Sequence, residues 1–186
     1  MTPNEAWLAG RLAKGWSISK AAFVGDNVTL VLHDPRNGDI FAALNHGHFG
    51  IKLHRSRDGG ETWPEIAVPA YPPMPEGYTP PVNAFTGKAI EWALKLIWGF
   101  ATGGANESGV IWCGTMPGGL FKSEISGDSW ELVRSLWDDP LREAWGPNGA
   151  EHPGIHSICV DPRDARRCSA STTTRYTARS ASRPTR

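Results

Sequence analysis

One eight-residue pattern occurs twice in this chain and restricts what it can fold into. "SRDGGETW" at 56–63 and "SEISGDSW" at 123–130 both read Ser-x-x-x-Gly-x-(Thr/Ser)-Trp. A second echo follows the same order: an apolar run ends in Asp-Pro-Arg at 34–36 and again at 161–163. Two motifs recurring in one order mark an internal repeat, and repeated units bury their faces against one another.

The segments around the motifs read as short strands. From 28 to 68 there are four, "VTLVLH", "DIFAAL", "GIKLHRS" and "TWPEIAV". A similar count runs from 93 to 137, with "GVIWCGT", "GGLFKSE" and "SWELVRSLW" after an opening strand. In "AIEWALKLIWGF", Ile90, Trp92, Leu94, Leu96, Trp98 and Phe100 alternate with the other residues, a period near two that predicts an extended segment. A helix over Ala89–Trp98 is the alternative reading. The chain's 21 Gly, 15 Pro and 9 Trp suit many short strands joined by tight turns and pinned by large anchors. Four-stranded antiparallel units repeated every ~40–50 residues point to an all-β fold, a partial β-propeller.

The pattern resembles the Asp-box, or BNR repeat, of sialidase-like β-propellers, whose form is Ser-x-Asp-x-Gly-x-Thr-Trp. Ser56, Asp58, Gly60, Thr62 and Trp63 match it fully; Ser123, Gly127, Ser129 and Trp130 match a degenerate copy in which Ile125 replaces the aspartate. "GTMPGGLFKS" and "HPGIHSICVDP" also look like bacterial BNR-repeat proteins labelled glycosyl hydrolase or exo-sialidase, and the resemblance spans about residues 25–167.

It implies an N-terminal segment (1–24), a first blade with its Asp-box (25–68), a Pro-rich loop (69–88) and a second blade with the degenerate box (89–138). The first strand of a third blade follows (139–167), then a tail (168–186). The tail, "CSASTTTRYTARSASRPTR", shows no apolar alternation and is expected to be disordered, an out-of-frame ending on a truncated gene.

The box itself reads as a folding device. Short oxygen-bearing side chains bond the turn's own amides, and glycine supplies backbone angles closed to other residues. Trp63 is expected to point inward. By the resemblance, the box lies away from the ligand-binding face. Asp58 as a calcium ligand fails on pattern, since an EF-hand needs a run of oxygen ligands ending in glutamate.

Other chemistry is thin. His46 and His48 are weak metal candidates on one strand face, with His33, His54 and Asp34 nearby in sequence. The bland reading is a polar loop between the second and third strands. His152 and His156 flank a Pro-Gly turn. Asp26, Asp34, Glu76 and Glu91 read as solvated loop or face residues, and Tyr71 and Tyr78 as exposed aromatics that either stack on a sugar or cover an apolar rim.

Glycosidases generally use paired carboxyl groups, and sialidases a tyrosine nucleophile. Sialidases of this fold carry an Arg-Ile-Pro motif before the first box. Here only Arg11, Arg36 and Arg55 precede Ser56, none in that context, so no catalytic residue is named. No metal or cofactor is implied.

With 19 basic and 19 acidic side chains and no block of like charge, nucleic acid and membrane are not expected partners. Cys113, Cys159 and Cys168 fit no zinc or redox spacing, and the absence of a signal-like or spanning segment makes cytoplasm the expected location. The reading is a binding or interaction module with a glycan or protein ligand at the propeller face. The alternative is a fragment of a sialidase-like glycoside hydrolase. Bare blade faces predict self-association.

Overall fold

The computed structural model describes residues 6–12, 15–77, 79–80, 82, 87, 89, 91–145, 152–165, 167–172 and 177–181. Its described residues are nearly all β, in antiparallel sheets, and they divide into two compact units, 1–68 and 69–186. No described helix is long and apolar enough to cross a membrane.

The first unit holds a hairpin, β1 (Ala6–Leu12) with β2 (Gly15–Ala22), and a four-stranded sheet. That sheet runs β3 (Val28–His33), β4 (Ile40–Asn45), β5 (Ile51–Ser56), β6 (Glu65–Ile66), each strand beside the next in sequence. The four segments read from 28 to 68 are these strands. β4 is the centre of the unit, with every residue from 40 to 44 buried. The hairpin abuts the sheet's outer corner: Lys20 pairs with Glu61, and just after β2 Phe23 meets Trp63 edge-on at 5.1 Å.

The second unit repeats the plan in β7 (Leu96–Thr102), β8 (Ile111–Met116), β9 (Leu120–Ser123) and β10 (Glu131–Leu132). The opening strand is shorter than its alternation suggested. β7 begins at Leu96; Ala89 makes an isolated bridge to Val82, and Trp92 is held off the sheet by donating Nε1 to the Pro72 carbonyl at 2.8 Å. Within β7 the fully buried positions are Ile97 and Gly99, while Trp98 and Phe100 are half-buried. Ile90 lies outside the described residues. "SWELVRSLW" is a two-residue strand followed by a short helix, α1 (Arg134–Trp137).

The largest departure concerns the third sheet. It has three strands rather than one, β11 (Ile155–Val160), β12 (Arg167–Thr172) and β13 (Thr177–Ala181). Most of the tail expected to be disordered is therefore paired. The reason is an alternation in small residues: Cys168, Ala170 and Thr172 are buried, while Ser169 and Ser171 are half-exposed. Large apolar side chains are not needed, because the two sheets approach closely. A Cβ built on Gly114 would stand 2.6 Å from both Cγ2 and the carbonyl oxygen of Ile155; one on Gly99 would stand 3.3 Å from that oxygen. Around this contact Trp112, Leu120, Leu136, Trp145, Ile155 and Cys168 form a shared core.

The face of sheet three turned away from that core is polar. Exposed Cys159 stands opposite half-exposed Ser169, and Ser157 opposite Ser171.

Candidate functional site

An antiparallel four-strand unit has two distinct ends, and the chain puts different material at each. The first–second and third–fourth strand corners lie at one end. The second–third turn shares the other end with the segments that enter and leave the sheet.

At the corner end of sheet one, Ser56 and Asp58 build the turn. Ser56 Oγ accepts from the Gly60 amide at 2.7 Å and donates to Asp58 Oδ1 at 2.7 Å. Asp58 also accepts from the Thr62 hydroxyl at 2.6 Å, the Thr62 amide at 3.0 Å and the Glu61 amide at 3.0 Å. The Thr62 bonds above all hold its carboxyl far below the usual carboxylate range. Gly59 and Gly60 have φ of +70° and +88°, and Trp63 donates Nε1 to the Gly60 carbonyl at 3.1 Å. Trp63 is half-buried rather than fully inward. In sheet two, Ser123 Oγ accepts from Gly127 at 2.8 Å and Ile125 at 3.2 Å, and Trp130 stacks on Phe100 at 6.3 Å. Ile125 is exposed.

The Asp-Pro-Arg echo is a second corner device. Arg36 donates Nε and Nη2 to the two oxygens of Asp34 at 2.8 and 2.6 Å; Arg163 does the same to Asp161 at 3.0 and 2.9 Å. In each, the arginine's own amide also bonds the aspartate, at 3.0 and 2.9 Å. Such planar two-point pairs are the stronger kind of ion pair. Asp34 is fully buried, not the solvated residue expected from sequence.

The connection end of sheet two is different in kind. The 117–119 turn, which follows a cis Met116–Pro117 bond, gathers residues from both flanking connections. Tyr71, from the Pro-rich loop, donates to the Pro117 carbonyl and lies 2.6 Å from the Thr115 hydroxyl. Burial pushes its phenol well above the ordinary value. Its ring stacks on Trp137 at 5.2 Å, and Trp92 meets Trp137 edge-on at 5.8 Å. The Arg142 guanidinium covers Trp137, 3.6 Å from the ring centroid, and donates Nε to the Gly118 carbonyl at 3.2 Å. Met74 and Leu141, from the same two connections, are exposed.

This cluster corrects the reading of Tyr71 as an exposed aromatic that either stacks on a sugar or covers an apolar rim, since its ring and hydroxyl are engaged within the protein; Tyr78 lies outside the described residues. Sequence reasoning also missed Thr115, Trp137 and Arg142, which nothing local marks, since their partners are far along the chain.

The histidines are not brought together. His46 and His48 flank Gly47 in the 3-10 turn Gly47–Phe49, at the β4–β5 connection, not on a strand face. His46 Nδ1 lies 3.9 Å from Asp26, and His48 packs against Phe49. His54 donates Nδ1 to the Trp63 carbonyl at 2.9 Å, and exposed His33 adjoins the Asp34 clamp. His152 is buried; His156 contacts Trp98 at 5.6 Å and donates Nε2 to the Thr172 carbonyl at 3.2 Å. No group of three or more His, Cys, Asp or Glu suited to a metal ion occurs among the described residues.

Glu76 is exposed and Glu91 pairs with Lys95. Arg11 lies on β1 and Arg55 is buried on β5. Among the described residues, six carboxyls are held below the ordinary carboxylate range by a hydrogen-bonding neighbour: Asp34 by Arg36, Asp58 by Thr62, Glu65 by Lys52, Glu91 by Lys95, Glu124 by Lys122 and Asp161 by Arg163.

No family profile and no curated protein sequence matches the chain. Solved structures do. YCF48 bound to D1 peptide superposes with a TM-score of 0.56 at 11% identity, covering 95% of this chain and 45% of that one. The GH74 xyloglucanase from Xanthomonas campestris gives 0.51 at 14% identity, covering 88% of this chain and 22% of that one. Both are β-propellers, and this chain spans less than half the length of either. With its antiparallel sheets of four strands, the chain has the fold of part of a β-propeller.

Proposed function

We propose that the chain is an Asp-box (BNR) repeat segment of a propeller that works as a binding or interaction module, its ligand taken at the connection end of sheet two. Ser56, Asp58, Gly60, Thr62 and Trp63, with Ser123, Gly127, Ser129 and Trp130, are the architectural residues of that reading, and Asp58 is not a catalyst.

The observation that carries it is the contrast between the ends. At the corner end of sheet one, hydroxyls and carboxylate are saturated by the turn's own amides. At the connection end of sheet two, three aromatic rings and an arginine come together from distant parts of the chain, on segments that also carry the exposed Met74 and Leu141. Tyr, Trp and Arg are the residue types that dominate binding hot spots. A general acid for glycoside cleavage needs a raised carboxyl pKa, and the six displaced carboxyls named among the described residues move the other way. The peptide bound to YCF48 favours a protein partner over a glycan by analogy of fold.

The test is direct. Aryl glycosides are expected to show no turnover with this chain. Turnover abolished by substituting one of its carboxylates overturns the reading in favour of a hydrolase.

A further inference from the structure

The three sheets share an irregularity that the repeated corner motifs do not explain. Near the connection end, the first strand of each carries one residue more than the second strand opposite it: Thr29 in β3, Trp98 in β7 and His156 in β11. Such a bulge leaves its residue out of the ladder and re-aims the side chain, and bulges are frequent beside functional sites.

In sheets one and three the bulged side chain bonds the facing strand. Thr29 donates Oγ1 to the Ala43 carbonyl at 3.2 Å, and His156 donates Nε2 to the Thr172 carbonyl at 3.2 Å. Trp98 does something else. Its indole packs on the bare backbone of Gly154, where a Cβ would stand 2.5 Å from Cε3, and its ring meets that of His156 edge-on at 5.6 Å.

We infer that Trp98 and His156 recognise the side-chain amide of an asparagine or glutamine in a segment of a partner protein. This rests on the binding-module reading and adds the ligand's chemistry to it.

The histidine's tautomer carries the argument. A carbonyl only accepts, so the proton of the neutral imidazole sits on Nε2 and Nδ1 is left as an acceptor. An indole N–H only donates. Among the described residues neither His156 Nδ1 nor Trp98 Nε1 has a hydrogen-bond partner, and His156 is exposed and Trp98 half-buried. Lys95, which leads into β7, is already paired with Glu91.

A donor and an acceptor on adjacent rings match a primary amide, whose oxygen and N–H lie along one edge. A main-chain peptide bond is trans, with its C=O and N–H on opposite sides, and a carboxylate has no proton to give. The 5.6 Å between the rings is within the span of one amide bonded at ~2.9 Å to each nitrogen.

Phage display of random dodecapeptides on the full chain tests this. The expected enrichment is asparagine or glutamine at one fixed position. The strongest peptide, fluorescein-labelled and read by anisotropy, is expected to weaken at least tenfold when that amide becomes the carboxylate. Trp98→Phe and His156→Phe, which keep a ring and remove the nitrogens, are expected to weaken it as much. If either variant lowers the melting temperature, the amide-to-acid comparison on the unaltered chain decides.

Enriched peptides without a fixed amide, or variants that bind as before, overturn this inference while leaving the module reading standing. Retention of glycans with no enriched peptide does the same. No binding to peptides or to glycans overturns both.

Discussion

The turns at 56–63 and 123–130 occupy the same corner of successive sheets, and they differ by one carboxylate. Both keep a buried serine whose hydroxyl accepts a glycine amide four residues on, at 2.7 and 2.8 Å. Both keep the glycine at positive φ, +88° at Gly60 and +85° at Gly127. Only the first has Asp58, with its bonds to Ser56, Glu61 and Thr62; the second has exposed Ile125. It also has Ser126 at φ +54°, where the first turn has Gly59. The serine–glycine bond is therefore the minimum that closes this corner, and the aspartate is reinforcement.

The serines should show the largest effect. Ser56→Ala and Ser123→Ala each leave a buried glycine amide without its acceptor, and each is expected to cost ~1–3 kcal/mol in denaturant unfolding. A negligible cost at Ser123 would break the claim that the second turn rests on the same bond.

Acid comes next. The depressed carboxyl of Asp58 contributes stability that is fully present above the ordinary aspartate pKa and is lost as pH falls through that value toward the folded one. Hydrogen-exchange protection of the Thr62 amide is therefore expected to fall on acidification below about pH 4, while the Ser129 amide changes little. Parallel loss at both would show that the carboxylate is not what separates the two turns.

The smallest expected effect is a gain. Ser126→Gly removes a left-handed backbone strain and is expected to raise stability by at most about 1 kcal/mol, since glycine also loosens the unfolded chain. A loss instead would mean that the Ser126 side chain contributes more than the strain takes away.

These turns were legible in sequence because their bonds join residues two to four apart. Sheets one and two were legible for a related reason: alternation and glycine corners are local signals. The third sheet was not, since Cys168, Ala170 and Thr172 carry too little apolar bulk to register as a core face. Beside them in the sheet, Ile155 packs on the bare backbone of Gly99 and Gly114, more than forty residues earlier. The Asp-Pro-Arg motifs registered as a repeat, but nothing in three letters announces a two-point ion pair. The Tyr71 cluster was misread because Tyr71 and Thr115 are 44 residues apart, and an aromatic residue in a Pro-rich loop looks solvated until its partner is known.

The bare backbone at Gly114 has a consequence for any attempt to enlarge this molecule's interior. Side-chain bulk at a crowded site is commonly accommodated by trimming its neighbour. Here the neighbour includes a carbonyl oxygen of Ile155, which no substitution can shorten. Position 114 is thus closed to every larger residue unless the strand opposite moves bodily. Position 99, where a Cβ would stand 3.3 Å rather than 2.6 Å from that oxygen, is where alanine would first be tolerated.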